Sequence, residues 1–243
     1  MKVVVCENYQ EMSRVAADLV AEVITARPDC VLGLATGSTP VDMYDELVRR
    51  YEAGELDFSA VRSVNLDEYY PIDPENSQSY RYFMNKNLFD LVNIDKANTA
   101  VPNGSAVDPE AECRAYEEKI ARLGQVDIQV LGIGQNGHIG FNEPDEALHP
   151  LTHLTALTES TIRANARFFS EDEVIPTSAL TMGIGTILRA KKIIILANGE
   201  AKADAIATLL SGMLTTACPA SFLNLHEDVV VICDRAAMSK AQV

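Results

Sequence analysis

The chain has 243 residues, 47% of them apolar, and a formal net charge of −15, enough apolar material for one large α/β core. That charge, with a pI of about 4.6, excludes a nucleic-acid or anionic-membrane surface as the main working face, so an anionic ligand must meet a local cluster of cations. Five cysteines without Cys-x-x-Cys spacing (Cys6, Cys30, Cys113, Cys218 and Cys233) suit neither a disulfide framework nor a zinc site, and are expected to be buried and reduced.

In chain order, short β-branched runs alternate with longer amphipathic stretches. Strands are expected at 2–6, 30–35, 62–66, 126–133, 192–197 and 228–233. Between the first two, Val15, Leu19, Val23 and Ile24 fall at helical spacing, with Pro28 just beyond; this is a strand, crossover helix, strand unit. The alternation predicts a mostly parallel sheet with helices on both faces. No repeat, linker or low-complexity tract divides residues 1–243, so a single domain is expected, least regular over about 144–176. The apolar start, Met1 to Val5, is too short for a signal peptide and no run reaches membrane-spanning length; a cytoplasmic protein is expected.

Ligands of such sheets bind beyond the carboxyl ends of the strands, and three of these ends are unusual. The first is LATGSTPVDMYDEL, residues 34–47. Ser38 or Thr39 can cap the following helix, with Pro40 in its first turn and Asp42 completing a capping pattern. Alternatively, Gly37 lets the backbone approach a ligand while free amides and the two hydroxyls face a phosphate. The turn has neither the Walker nor the dinucleotide-binding spacing. The second is NLDEYYPIDP, residues 65–74, where Asp67 and Glu68 read either as solvated acids or a cap, or as a general base facing a crevice. The third is LGIGQNGHIGFNEP, residues 131–144. Taken singly, its glycines permit turns and its histidine reads as structural. Together they set His138 on a tight loop with Asn136 two residues before and Glu143 five after, an arrangement suited to moving protons near neutral pH.

The segments GLATGSTP, NLDEYY, LGIGQNGHIGFNEP, ANARFF and LANGEAKADAI, in this order, resemble the glucosamine-6-phosphate deaminase (isomerase) family over nearly the whole chain. The resemblance implies a Rossmann-like doubly wound fold. It also implies conversion of D-glucosamine 6-phosphate and water to D-fructose 6-phosphate and ammonium, within amino-sugar catabolism, with no metal and no organic cofactor. By the same resemblance Asp67 shuttles the C2 proton, His138 opens the pyranose ring, and Asn136 and Glu143 support His138. The chemistry accounts for the division: a closed ring has no carbonyl to acidify C2, so ring opening precedes proton removal and the two tasks need separate groups. The Gly37-Ser38-Thr39 turn, Arg167 and Lys202 are implied phosphate ligands; arginine offers a fork and lysine a point charge.

Two departures matter. Some members carry aspartate where this chain has Asn136, and an amide can orient a histidine but cannot supply charge; a tuned pH profile is expected. Allosteric hexameric members have basic residues after their Asn-Glu-Pro motif and a longer C-terminal extension. DEALHPLTHLTALT here has neither lysine nor arginine, so no activation by N-acetylglucosamine 6-phosphate, and a monomer or small homo-oligomer, are expected. The 144–176 segment resembles the family's lid, with Arg167 on it. Galactosamine-6-phosphate deaminase and 6-phosphogluconolactonase are the neighbouring enzyme readings. A sugar-phosphate sensor is the non-enzymatic one; it would keep the phosphate ligands and lose the acid/base set.

Overall fold

The run Ile193-Ile194-Ile195-Leu196-Ala197 is buried at every position, which is what a parallel strand covered on both faces requires. Each such buried isoleucine or leucine contributes about 1.5–3 kcal/mol of transfer free energy. The computed structural model, which describes residues 1–158, 161–162 and 175–241, builds its core around strands of this kind. They are β1 (Lys2–Cys6), β2 (Val31–Leu34) and β3 (Arg62–Asn65). After β4 (Asp67–Tyr70), which belongs elsewhere, come β5 (Thr99–Ala100) and β6 (Ile128–Gly132). Beyond β7 (His153–Ala156) and β8 (Ser178–Thr181), β9 (Ile193–Ala197) and β10 (Val229–Asp234) complete the set. The order β1-β10-β9-β6-β2-β3-β5 forms one seven-stranded sheet in which every pairing is parallel.

Helices surround it. In α1 (Tyr9–Ala26), Asn8 caps the first turn and Met12, Ala16, Val20 and Ile24 are buried, one stripe at helical spacing. α2 (Val41–Glu52) packs on α1. Then come α3 (Tyr80–Met84), which runs on into one π turn, Asn85–Phe89, and α4 (Pro109–Leu123), opened by an Asp108 cap and Pro109. α5 (Ile184–Ile187) and α6 (Ala203–Leu210) follow among the described residues. From β2 the chain winds outward through β3 to β5, then returns to the other side of β2 with β6, β9 and β10. The direction reverses between β2 and β6, and a crevice opens there beyond their carboxyl ends.

The structure differs from the sequence-based expectation in three places. Residues 62–70 are two strands: β3 lies in the parallel sheet, and β4 pairs antiparallel with β8, which pairs with β7 in a second, three-stranded sheet. The acids therefore begin a strand instead of a loop. β7 lies inside the segment read as irregular, because its alternation of half-buried and exposed positions spans only four residues. Finally, α2 starts from Pro40 with no side-chain cap, so the Ser38 or Thr39 cap does not form. The two sheets are joined at Leu66, whose amide donates to Leu34 O at 3.1 Å and whose carbonyl accepts from Met182 N at 2.8 Å. All five cysteines are buried and unpaired. No helix among the described residues is long and apolar enough to cross a membrane.

Candidate active site

A cavity of about 640 Å³ sits at the β2/β6 crevice, and the loops after β2, β3 and β6, with the start of α6, reach it. Asp67, Asn136, His138 and Glu143 all line it, as do Gly37, Ser38, Thr39 and Lys202. Arg167 and the ANARFF segment lie outside the described residues.

The loop after β6 fixes the histidine's tautomer by hydrogen bonding. Asn136 Nδ2 donates to Glu143 Oε2 at 2.6 Å; a carboxylate only accepts here, so the amide's oxygen must face the histidine. That oxygen takes the His138 backbone amide at 3.2 Å and stands 2.8 Å from Nδ1. Nδ1 is also 3.2 Å from Glu143 Oε1. Two acceptors on one ring nitrogen place the proton of the neutral imidazole on Nδ1 and leave Nε2 as its acceptor atom. Burial raises the Glu143 carboxyl, but the bonds from His138 and Asn136 and the His138 charge outweigh it and hold Glu143 below its ordinary value. The ring lies flat against Gly134: a Cβ there would come 2.3 Å from His138 Nδ1 and Cε1, so only glycine permits the approach. Gly140, at φ +57°, turns the same loop back toward β4, and a Cβ on it would meet Thr181 Oγ1 at 2.8 Å.

Asp67 is 6% exposed and opposes Thr181 in the β4–β8 ladder. Burial, with the neighbouring Glu68 charge, pushes its carboxyl up to about 8. No described residue hydrogen-bonds its charged form, so its proton affinity is high. Glu68, equally buried, is held quite differently. Its Oε1 accepts the Tyr69 and Tyr80 amides at 2.9 and 2.8 Å, and Oε2 accepts the Arg81 amide at 2.9 Å. Sequence spacing set the two acids side by side; the strand sends them to different partners.

At the other end of the cavity neither the Ser38 nor the Thr39 hydroxyl is engaged in a cap. Lys202 is half-buried, which lowers its ammonium pKa, and no described carboxylate pairs with it. Its loop is pinned, since the Asp234 carboxylate accepts Gly199 N at 3.1 and 2.9 Å and Ala237 N at 2.7 Å. An amine and two hydroxyls, beside a glycine turn whose Ser38 carbonyl accepts from Tyr9 Oη at 2.9 Å, make a polar corner suited to an anion. The cavity thus brings together a buried carboxyl of raised proton affinity, an imidazole whose Nε2 no described residue bonds, and an end lined by an ammonium and two hydroxyls.

Sequence reasoning missed the wall between them. Tyr69, Tyr80 and Phe141 form an aromatic cluster, with ring centroids 4.7, 5.8 and 6.2 Å apart, and all three line the cavity. Their frequency in NLDEYY and SQSYRYF was the available signal, but nothing local says that residues 69, 80 and 141 meet. The Asp234 clamp on the Lys202 loop was likewise unforeseen.

Against known proteins, residues 7–232 match the model of the family described as glucosamine-6-phosphate isomerases/6-phosphogluconolactonase. The chain is 56% identical over 237 residues to the glucosamine-6-phosphate deaminase of Clostridium perfringens, covering 98% of each chain. To that of Halothermothrix orenii it is 55% identical over 239 residues, covering 98% of this chain and 99% of the relative. A solved monomeric glucosamine-6-phosphate deaminase superposes with a TM-score of 0.94 at 46% identity, over 99% of this chain and all of its own. The 6-phosphogluconolactonase of Trypanosoma brucei superposes with a TM-score of 0.76 at 21% identity, a likeness of fold alone.

Proposed function

The chain belongs to the family of glucosamine-6-phosphate isomerases and 6-phosphogluconolactonases, and from that premise we propose that it is a glucosamine-6-phosphate deaminase acting in amino-sugar catabolism in the cytoplasm. The observation that carries the reading is the pairing, in one cavity, of a buried carboxylate to which no described residue donates with an imidazole whose Nε2 no described residue bonds. A lactone hydrolysis has no use for the first of these, whereas an aldose-ketose isomerisation needs both.

His138 Nε2 takes the proton of the anomeric hydroxyl and returns one to the ring oxygen, opening the pyranose to its aldehyde. Asp67 then removes the C2 proton, acidified by the carbonyl, to give an enolamine; the proton goes to C1, and water hydrolyses the resulting C2 imine to the ketone and ammonia. Asn136 and Glu143 orient His138 and stabilise its cation. Ser38, Thr39 and Gly37, with Lys202 and Arg167, hold the phosphate, whose charge of about −1.5 to −2 offsets the cost of a lysine half-removed from water. Segment 144–176 acts as a lid that carries Arg167 and excludes water. The chain works as a monomer or small homo-oligomer, in keeping with the monomeric relative.

The test is release of ammonia and fructose 6-phosphate from glucosamine 6-phosphate, run beside galactosamine 6-phosphate and 6-phosphogluconolactone. Stoichiometric release from the glucosamine compound, lost in Asp67→Asn, is expected; preference for either control moves the assignment to that enzyme. N-acetylglucosamine 6-phosphate is expected to leave the substrate curve hyperbolic. Hydrogen exchange over 144–176 is expected to slow when a substrate analogue binds.

A further inference from the structure

Glu68 has no part in the chemistry just described, yet its carboxylate is 1% exposed and sits one residue from the proposed base. A buried carboxylate is costly unless hydrogen-bonded, and this one is met by three backbone amides, two of them from the first turn of α3. Those bonds tie β4 to α3 where Tyr80 starts, and Tyr80 lies parallel to Phe141, at 4° between ring planes, on the cavity wall. Burial pushes the Glu68 carboxyl up to about 7 all the same, but these donors keep it below Asp67, pushed up to about 8, to which no described residue donates.

We propose that Glu68 is a positioning residue with two tasks: its carboxylate, held by three backbone amides, clamps α3 so that Tyr80 walls the substrate cavity, and its charge, when ionised, bears directly on the neighbouring Asp67. The inference rests on the deaminase reading, in which Asp67 takes the C2 proton. Asp67 and Glu68 lose their last proton as a pair, and the three amides assign the remaining proton to Asp67. The groups facing the pair are few. α3 presents Arg81 and Tyr80, β4 itself Tyr69, and α4 Tyr116, whose hydroxyl bonds Asn65 O at 2.7 Å. β8 presents Thr181, which does not titrate, and His138 stands across the cavity. Arg81 is the one cation among them; its guanidinium is turned to Thr99, bonding Oγ1 at 2.7 Å and the carbonyl at 3.2 Å.

Two measurements decide the matter. In pH profiles of kcat/KM, Glu68→Gln is expected to move the acidic limb toward lower pH by about one unit or more. Activity above that limb should fall roughly tenfold, as a weaker base predicts. Glu68→Asp, which keeps the charge but retracts it from α3, is expected to hold the limb in place and raise KM. An unmoved limb in an active Glu68→Gln enzyme overturns the proposal. The second measurement needs no Glu68 variant to fold: carboxyl ¹³C shifts of aspartate-labelled wild-type protein, with Asp67 identified by its loss in Asp67→Asn. An Asp67 signal titrating well above the ordinary carboxylate range, with a second inflection from its neighbour, supports the pair; one titrating near 4, or in a single step without a neighbour's inflection, overturns it. Absence of ammonia release would instead overturn the deaminase reading, and the ¹³C titration would still decide how the pair shares its proton.

Discussion

Two aspartates, almost equally shielded from solvent, stand at opposite ends of the parallel sheet. Asp127, 8% exposed, precedes β6 and is satisfied on every side: Arg27 at 2.9 Å, Lys191 at 2.7 Å and the Val31 amide at 2.8 Å. Burial works to raise its carboxyl, but these partners prevail and hold it below the usual value. Asp67, 6% exposed, has no such partners; burial, with the neighbouring Glu68 charge, pushes it up to about 8. Both are shielded from solvent, but Asp67 lies deeper and lacks donors, so depth and partners together decide whether a buried acid stabilises the protein or is poised to accept a proton.

The sharpest way to break this contrast is to remove the poised acid. Asp67→Asn is expected to lower kcat/KM by about 10²–10⁴-fold, read by ammonia release. It should also stabilise. The folded-state value of Asp67 lies above the ordinary 3.8, so its stabilising contribution is complete below that value and declines as pH rises toward about 8. The Tm of Asp67→Asn should therefore exceed wild type by about 3 °C or more at pH 8 and converge with it in acid. Next in size, Gly134→Ala drives a methyl group into the His138 ring and should cost about 10²-fold in kcat/KM through misplacement. Lys202→Met should raise KM about 10–100-fold, the worth of a charge-assisted bond to phosphate, with kcat changed far less. Smallest in activity, Asp127→Asn should leave kcat/KM unchanged. It should lower Tm at pH 7 by a few degrees, the cost of about 1–3 kcal/mol for broken buried hydrogen bonds. Its sign with pH is the reverse of Asp67: the stabilisation is present above the unfolded value and lost as pH falls through the depressed folded one.

The parallel sheet was legible because strands such as β9 and β10 are buried on both faces and read as unbroken β-branched runs. The small sheet was not. β4 reads Asp-Glu-Tyr-Tyr and β8 Ser-Ala-Leu-Thr, too short and mixed for a period-2 pattern, and their pairing of Asp67 with Thr181 is set by distant contacts. Asp67, Asn136, His138 and Glu143 could be singled out because each follows a strand's carboxyl end, where the fold gathers its loops. Their assignment to separate proton tasks came from family resemblance. Glu68 could not be distinguished from Asp67, since its partners are amides at residues 69, 80 and 81, and an amide leaves no mark in the sequence. The Ser38 or Thr39 cap failed for a local reason: with Pro40 in the N-cap position, both hydroxyls fall outside the helix.

Asp67 belongs to the small sheet, whereas Lys202 and the 37–39 turn are carried by the large one, and Leu66, bonded to Leu34 on one side and Met182 on the other, joins them. The cavity is therefore a pair of calipers with its pivot in the main chain. On the proposed reading one jaw would grip the phosphate and the other touch a single carbon, so that the gap would count carbon atoms. A five-carbon or seven-carbon aminosugar phosphate, whatever its hydroxyl pattern, would bring the wrong carbon to the base, and side-chain substitution alone would not reset that span.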